Sequence, residues 1–183
     1  GATFTYADVW NRSASVARAL RELGVEQGHT VVAMLDNNVD AVSVWFAANM
    51  LGAIWVPINT ALKGTFLTHV VGDSRARVVV CDIDFMQRLE RELPALPHVG
   101  HVFVRGLERE VALGTVVARP FDELLRFDPI DRPVESRPND TSLIIYTGGT
   151  TGPSKGCAIS NGYVFSSARG FLVQSGRRPD ELN

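Results

Sequence analysis

Four short apolar runs, separated by stretches of helical pattern, set the terms on which this chain folds. Val31-Val32-Ala33-Met34-Leu35, Ile54-Trp55-Val56-Pro57-Ile58, Val78-Val79-Val80-Cys81 and Val102-Phe103-Val104 all have the length of strands. The first is a continuous apolar run, as expected of a strand covered on both faces. Between them the apolar spacing changes to that of a helix face. Thr5 with Asp8 three residues on resembles a capping box, so a helix is expected from Tyr6, with Val9, Trp10, Val16, Ala17, Leu20 and Leu23 on one face and Gly24 at its end. Val39 to Leu51, with Asp36-Asn37-Asn38 supplying caps and Gly52 closing it, reads as a second helix. Phe66, Leu67, Val70 and Val71, closed by Gly72, read as a third, and Phe85 to Leu93 before Pro94 as a fourth. Strands alternating with helices of this length predict βαβ units and an α/β fold: a mostly parallel sheet with flanking helices.

The pattern divides the chain. Residues 1–105 carry the βαβ units. Residues 106–140 read as an irregular connection, with only Phe121 to Phe127 helical and with Pro129, Pro133 and Pro138 along the way. Residues 141–183 begin with a buried strand, Leu143-Ile144-Ile145-Tyr146, that runs into a Gly/Thr loop. A short strand, Cys157-Ala158-Ile159, follows, and then a helix capped by Ser160 or Asn161 that carries Val164, Phe165, Ala168, Phe171 and Leu172.

That loop carries the chemistry. Gly148, Gly149 and Gly152 let the backbone turn and bring its N–H groups close to an anion. Thr147, Thr150 and Thr151 add hydroxyl donors, and Lys155 adds a mobile positive charge. Lys63 and Lys155 are the only lysines among 18 basic residues, which sets a lysine in this loop apart from background. A Walker loop needs Gly-Lys-Ser or Gly-Lys-Thr opening a helix. Here Ser154 precedes the lysine, Gly156 follows it and a strand comes next, so that rival is excluded. A ligand-free hairpin would favour Asn-Gly or Asp-Gly over three hydroxyls and a lysine around three glycines.

Tyr146 through Gly156 resembles the phosphate loop of the adenylate-forming superfamily, which includes acyl-CoA synthetases, luciferases and peptide-synthetase adenylation domains. Gly148 stands where that family usually has Ser, Pro153-Ser154 replaces a variable residue and Pro, and Asn161 stands where His is frequent. Thr5-Tyr6-Ala7-Asp8, the turn from Leu23 to Val32, and Leu51 to Asn59 resemble the family in the same order. Leu35-Asp36-Asn37-Asn38 and Pro57-Ile58-Asn59-Thr60 are nearest to the carnitine/crotonobetaine and fatty-acid CoA ligases. The resemblance implies the first part of the family's large N-terminal, AMP-binding domain. It also implies ATP and Mg2+ as cofactors, a carboxylic acid and CoA as partners, and two-step chemistry through an acyl-adenylate. By the same carry-over, Thr147, Gly148, Gly149, Thr150, Thr151, Gly152 and Lys155 contact the phosphates. The family's catalytic, adenine-binding and magnesium-coordinating residues match no position here. An acyl-AMP ligase that loads a carrier protein and a non-catalytic nucleotide-phosphate module are the alternatives.

Other features point to ordinary protein. Net charge of −2 gives no reason to expect nucleic acid, and no apolar run is long enough to span a membrane. Cys81 and Cys157 are expected as buried thiols in a reduced, cytoplasmic setting. Trp10, Trp45 and Trp55 are expected on core faces, and Asp82 and Asp84 as helix caps. His98 and His101 lack partners at metal-ligand spacing. Gly1 leads at once into a helix signal, and residues 177–183 read as a connection, so a piece of a longer chain is expected. Such a piece is expected to expose an apolar patch and form a homodimer or aggregate.

Overall fold

The computed structural model describes residues 2–149 and 152–176. Helix α1 (Tyr6–Glu22) starts at the expected capping box. The Thr5 hydroxyl accepts from the Asp8 amide at 3.1 Å, and the Asp8 carboxylate accepts from the Thr5 amide at 2.8 Å. The Thr5 hydroxyl also donates to the Asp8 carboxylate at 2.6 Å, and this bond first, then the one from the Thr5 amide, holds the Asp8 carboxyl below its ordinary pKa. Then follow β1 (Thr30–Met34), α2 (Val39–Met50), β2 (Ile54–Pro57), α3 (Thr65–Ser74), β3 (Val78–Asp82), α4 (Ile83–Glu92) and β4 (His101–Arg105). The chain continues through β5 (Val111–Leu113), β6 (Val116–Pro120), β7 (Thr141–Gly149), β8 (Gly152–Ser160) and α5 (Asn161–Ser175).

The strands form one sheet in the order β5-β6-β4-β3-β1-β2-β7-β8. Every neighbouring pair is parallel except the two at the edges, β5 with β6 and β7 with β8. Side chains of the central strands alternate between two cores. Val31, Ala33, Val78, Val80 and Phe103 pack beneath α1, α2 and a 3-10 turn at Phe121–Arg126. Val32, Met34, Val79, Cys81, Val102 and Val104 pack beneath α3 and α4. This two-sided burial explains why β1 and β3 read as continuous apolar runs.

The connection leaving β1 crosses one face and that leaving β3 crosses the other, so a crevice is expected between their carboxyl ends, where open α/β sheets commonly bind ligands. Here an ionic network fills it. One Asp82 oxygen accepts from the Asp36 amide at 2.8 Å, and the other accepts from Arg105 at 2.9 Å. Arg105 also donates to Asp40 at 2.9 Å, and Arg12 pairs with the other oxygen of Asp40. Asp82 therefore staples the two strand ends; it makes no side-chain cap bond to α4, contrary to the capping expected of it.

Several other expectations are corrected. Residues 111–120 form the β5–β6 hairpin, turning at Gly114 (φ +63°), within the stretch expected to be irregular. Helix α3 passes through Gly72 and ends at Arg75 (φ 54°), with Phe66 exposed. Trp10 is 54% exposed, because the buried face of α1 starts only at Ser13. Cys81 is buried, and burial, with the Asp82 charge adding, pushes its thiol up to about 12. Cys157, on edge strand β8, is exposed. Helix α5 buries none of its side chains, and Tyr163, Phe165, Phe171 and Val173 face solvent. Among the described residues no group of His, Cys, Asp or Glu is placed to hold a metal, and no helix is long and apolar enough to cross a membrane.

Removing Arg105 takes one cation from two mostly buried carboxylates that keep other partners. Arg105→Ala is expected to cost about 1–3 kcal/mol in urea unfolding. Arg105→Lys should recover only part, since one ammonium lacks the fork that reaches both Asp40 and Asp82.

Candidate phosphate-binding hairpin

The position of the loop follows from where β2 stops. Ile54 and Ile58 donate their amides toward β1, to the His29 and Ala33 carbonyls at 2.7 and 2.9 Å, so Trp55 and Pro57 present the β7 side. Pro57 has no N–H to give. Pairing of β2 with β7 is accordingly confined to Trp55 opposite Leu143. The entry to β7 is fixed instead from α2. Asn49 donates to the Ser142 carbonyl at 2.9 Å, and the Ser142 hydroxyl donates back to Asn49 at 2.8 Å. Beyond Leu143, β7 has β8 as its strand partner.

In this hairpin Tyr146 stands opposite Gly156, Thr147 opposite Lys155 and Gly149 opposite Gly152, with a register shift between Thr147 and Gly149. Directly opposed residues of an antiparallel pair project to the same face. The Thr147 and Lys155 side chains therefore project to one side of the hairpin, and both residues are exposed. Thr147, Gly148, Gly149, Gly152 and Lys155 thus lie together at the end of one hairpin. Thr150 and Thr151 lie outside the described residues.

The two non-terminal glycines differ in why they are glycine. A Cβ on Gly156 would lie 2.8 Å from Ile144 Cγ2 and 3.2 Å from Tyr146 Cζ, so the Tyr146 ring lies directly over this position. A Cβ on Gly148 would meet nothing within 4 Å. Open space above exposed backbone is what an incoming phosphate needs, and it also leaves room for a serine.

On the same side of β7 as Thr147, strand alternation places Ile145, which lines a cleft of about 330 Å³ with Ala33, Leu35, Asn37, Trp55 and Asn59. Trp55 stacks on Trp45, with ring centroids 4.9 Å apart and planes within 13°, and neither buried indole N–H has a partner. On the opposite side, Tyr146 donates its hydroxyl to Asp73 of α3 at 2.6 Å. Burial, then the hydrogen bond to Asp73 and its charge, raises the Tyr146 phenol well above its ordinary pKa, so it remains a donor. His69 of α3 bonds the Ser154 carbonyl at 2.8 Å. Neither α3 contact had a sequence signal.

The model of the AMP-binding enzyme family matches residues 1–181, and the chain belongs to that family. It is 32% identical over 174 residues to long-chain fatty acid transport protein 6 of Mus musculus, covering 93% of this chain and 28% of that protein. The fold superposes on the anthranilate CoA ligase AuaEII in complex with anthranoyl-AMP with a TM-score of 0.79 at 30% identity, over 86% of this chain and 30% of that one. ATP-bound MatB from Rhodopseudomonas palustris gives a TM-score of 0.77 at 25% identity, over 94% and 33%. The chain spans between a quarter and a third of the length of the curated relatives it matches.

The glycine environments make opposite predictions. Gly148→Ser is expected to leave stability within about 0.5 kcal/mol of the parent chain. Gly156→Ala, pressed against a β-branched side chain and a ring, is expected to destabilise by about 1–3 kcal/mol. Thermal and urea unfolding of the two variants compares them directly.

Proposed function

We propose that this chain supplies the polyphosphate-holding part of an ATP-dependent carboxylic acid–CoA ligase working in the cytoplasm. The observation that carries this reading is the pairing of Thr147 with Lys155 beside the open backbone of Gly148. In the reaction proposed, a substrate carboxylate oxygen attacks the α-phosphorus of ATP and pyrophosphate leaves, giving an acyl-adenylate. The CoA thiol then attacks the acyl carbon, AMP leaves, and the thiol proton passes to solvent. The chain's own residues act on the leaving group. Backbone N–H groups around Gly148 and Gly149, the Thr147 hydroxyl and the Lys155 ammonium hold the β- and γ-phosphates as negative charge builds on pyrophosphate. Thr150 and Thr151 complete the donor set on this reading. Mg2+ would arrive with the nucleotide and neutralise part of the phosphate charge; no residue described here is assigned to it.

The relatives named for long-chain fatty acids and for anthranilate both support a carboxylic acid substrate. Their difference leaves the acid to be found with a panel of carboxylates. The exposed aromatic side chains of α5 support self-association as part of this reading. Light scattering over a wide concentration range checks it: mass should rise with concentration.

Lys155→Ala tests the nucleotide reading. Titration of Mg-ATP is expected to show a Kd roughly tenfold to a hundredfold higher, the loss of one charge-assisted contact. In an intact ligase containing this segment, ATP–pyrophosphate exchange should fall with it. Unchanged exchange would refute the role given to Lys155.

A further inference from the structure

Beyond Leu143 no ladder among the described residues pairs the hairpin with β2, and α3 holds it from one face instead. His69 and Asp73 lie one helical turn apart on the same face of α3. Each holds a different strand of the hairpin. Asp73 accepts from the Tyr146 hydroxyl on β7 at 2.6 Å, and the His69 ring nitrogen Nε2 lies 2.8 Å from the Ser154 carbonyl on β8. A carbonyl oxygen only accepts, so Nε2 carries the proton and donates. The two contacts also touch each other. The His69 and Tyr146 rings meet edge to face, with centroids 6.5 Å apart and planes at 87°.

The gripped residues are placed tellingly. Tyr146 immediately precedes Thr147, and Ser154 immediately precedes Lys155. Thr147 and Lys155 are the two opposed donors of the tip. Fixing the residue before each donor sets the direction in which both project, on the face away from α3. Gly156 belongs to the same device, because only a residue without Cβ lets the Tyr146 ring lie across β8. Pro57 withholds the pairing that would otherwise anchor β7 to β2 at this point.

We propose that His69 and Asp73 form a two-point clamp on the hairpin mouth, acting as positioning residues for the polyphosphate-binding tip. The inference rests on the nucleotide reading above for its functional consequence, and on contacts alone for its mechanical part. The clamp holds the tip in register before nucleotide arrives. Without it the two strands still pair, but the spacing and aim of Thr147 and Lys155 are no longer fixed, so binding must first order them.

The experiment separates these two parts. Hydrogen exchange by mass spectrometry is measured on the nucleotide-free chain for the parent, Tyr146→Phe, Asp73→Ala, Asp73→Asn and the Tyr146→Phe/Asp73→Ala double variant. Peptides covering 146–149 and 152–157 should exchange roughly threefold to tenfold faster in the Phe and Ala variants, the scale of one lost hydrogen bond. The double variant should be no faster than the faster single, because both remove one bond. Asp73→Asn should stay near the parent, since its amide oxygen still accepts. Peptides covering β1 and β3 should not change. Mg-ATP titration of the same set should show Kd rising by a similar factor in the Phe and Ala variants, with Asn recovering most of it. Unchanged hairpin exchange, additive effects in the double variant, or equal acceleration throughout the sheet overturns the clamp. Altered exchange without altered Mg-ATP affinity overturns its positioning role. If the parent chain binds no Mg-ATP, the nucleotide reading fails, and with it the positioning role, while exchange still decides the clamp.

Discussion

Burial of β1 and β3 on both faces is the constraint from which the rest of the molecule follows. A strand with Val, Ala, Met or Cys on every side chain needs a layer above and a layer below. Helices α1 and α2 supply one layer, and α3 and α4 the other. Connections that alternate in this way produce a parallel sheet with all carboxyl ends on one edge. They also leave a crevice between β1 and β3 on that edge. The Asp82–Arg105–Asp40–Arg12 network occupies it, so the candidate binding groups lie further along the edge, at β7 and β8. The polar staple and the displaced hairpin are two results of the same topology.

Support for the hairpin passes from backbone pairing to side chains along its length. At its base, Trp55 opposite Leu143 and the reciprocal Asn49–Ser142 pair tie β7 to the sheet and to α2. At its mouth, α3 takes over through His69 and Asp73. Toward its tip, Gly148 leaves space and the side chains of Thr147 and Lys155 are exposed. On the proposed reading, the groups that meet the ligand are thus open to solvent while the residue before each of them is held.

The sequence made the central strands and most helix ends legible because each follows a local rule. Thr5 and Asn38 cap as their side chains dictate, and β1 and β3 show their two-sided burial at every position. Elements whose identity depends on neighbours were harder to read. Strands β5 and β6 are short and carry Glu110 and Arg119 around them, although Gly114-Thr115 between Leu113 and Val116 is a two-residue turn signal that goes with a hairpin. Helical periodicity puts Trp10 on the face of Ser13 and Ala17, yet it says nothing about how far the partner layer extends, and the start of α1 is left exposed. Cys157 sits in an apolar triplet, but its strand lies at the sheet's edge. In the candidate site, the residue types of the loop were legible and their arrangement was not. The opposition of Thr147 to Lys155 is a matter of register. The grip of α3 joins residues 73 and 85 positions apart, a separation over which no periodicity in the chain carries information.

Pro57 has one more consequence, which concerns the order in which the chain is made. Strand β2 emerges from the ribosome long before β7, and until then its outer edge has no partner. An open edge of unpaired N–H and C=O groups invites pairing with other chains. Here that edge is four residues long, and one of the two positions facing outward is a proline without a donor. The same residue that later releases β7 toward the hairpin guards the nascent sheet against the wrong strand.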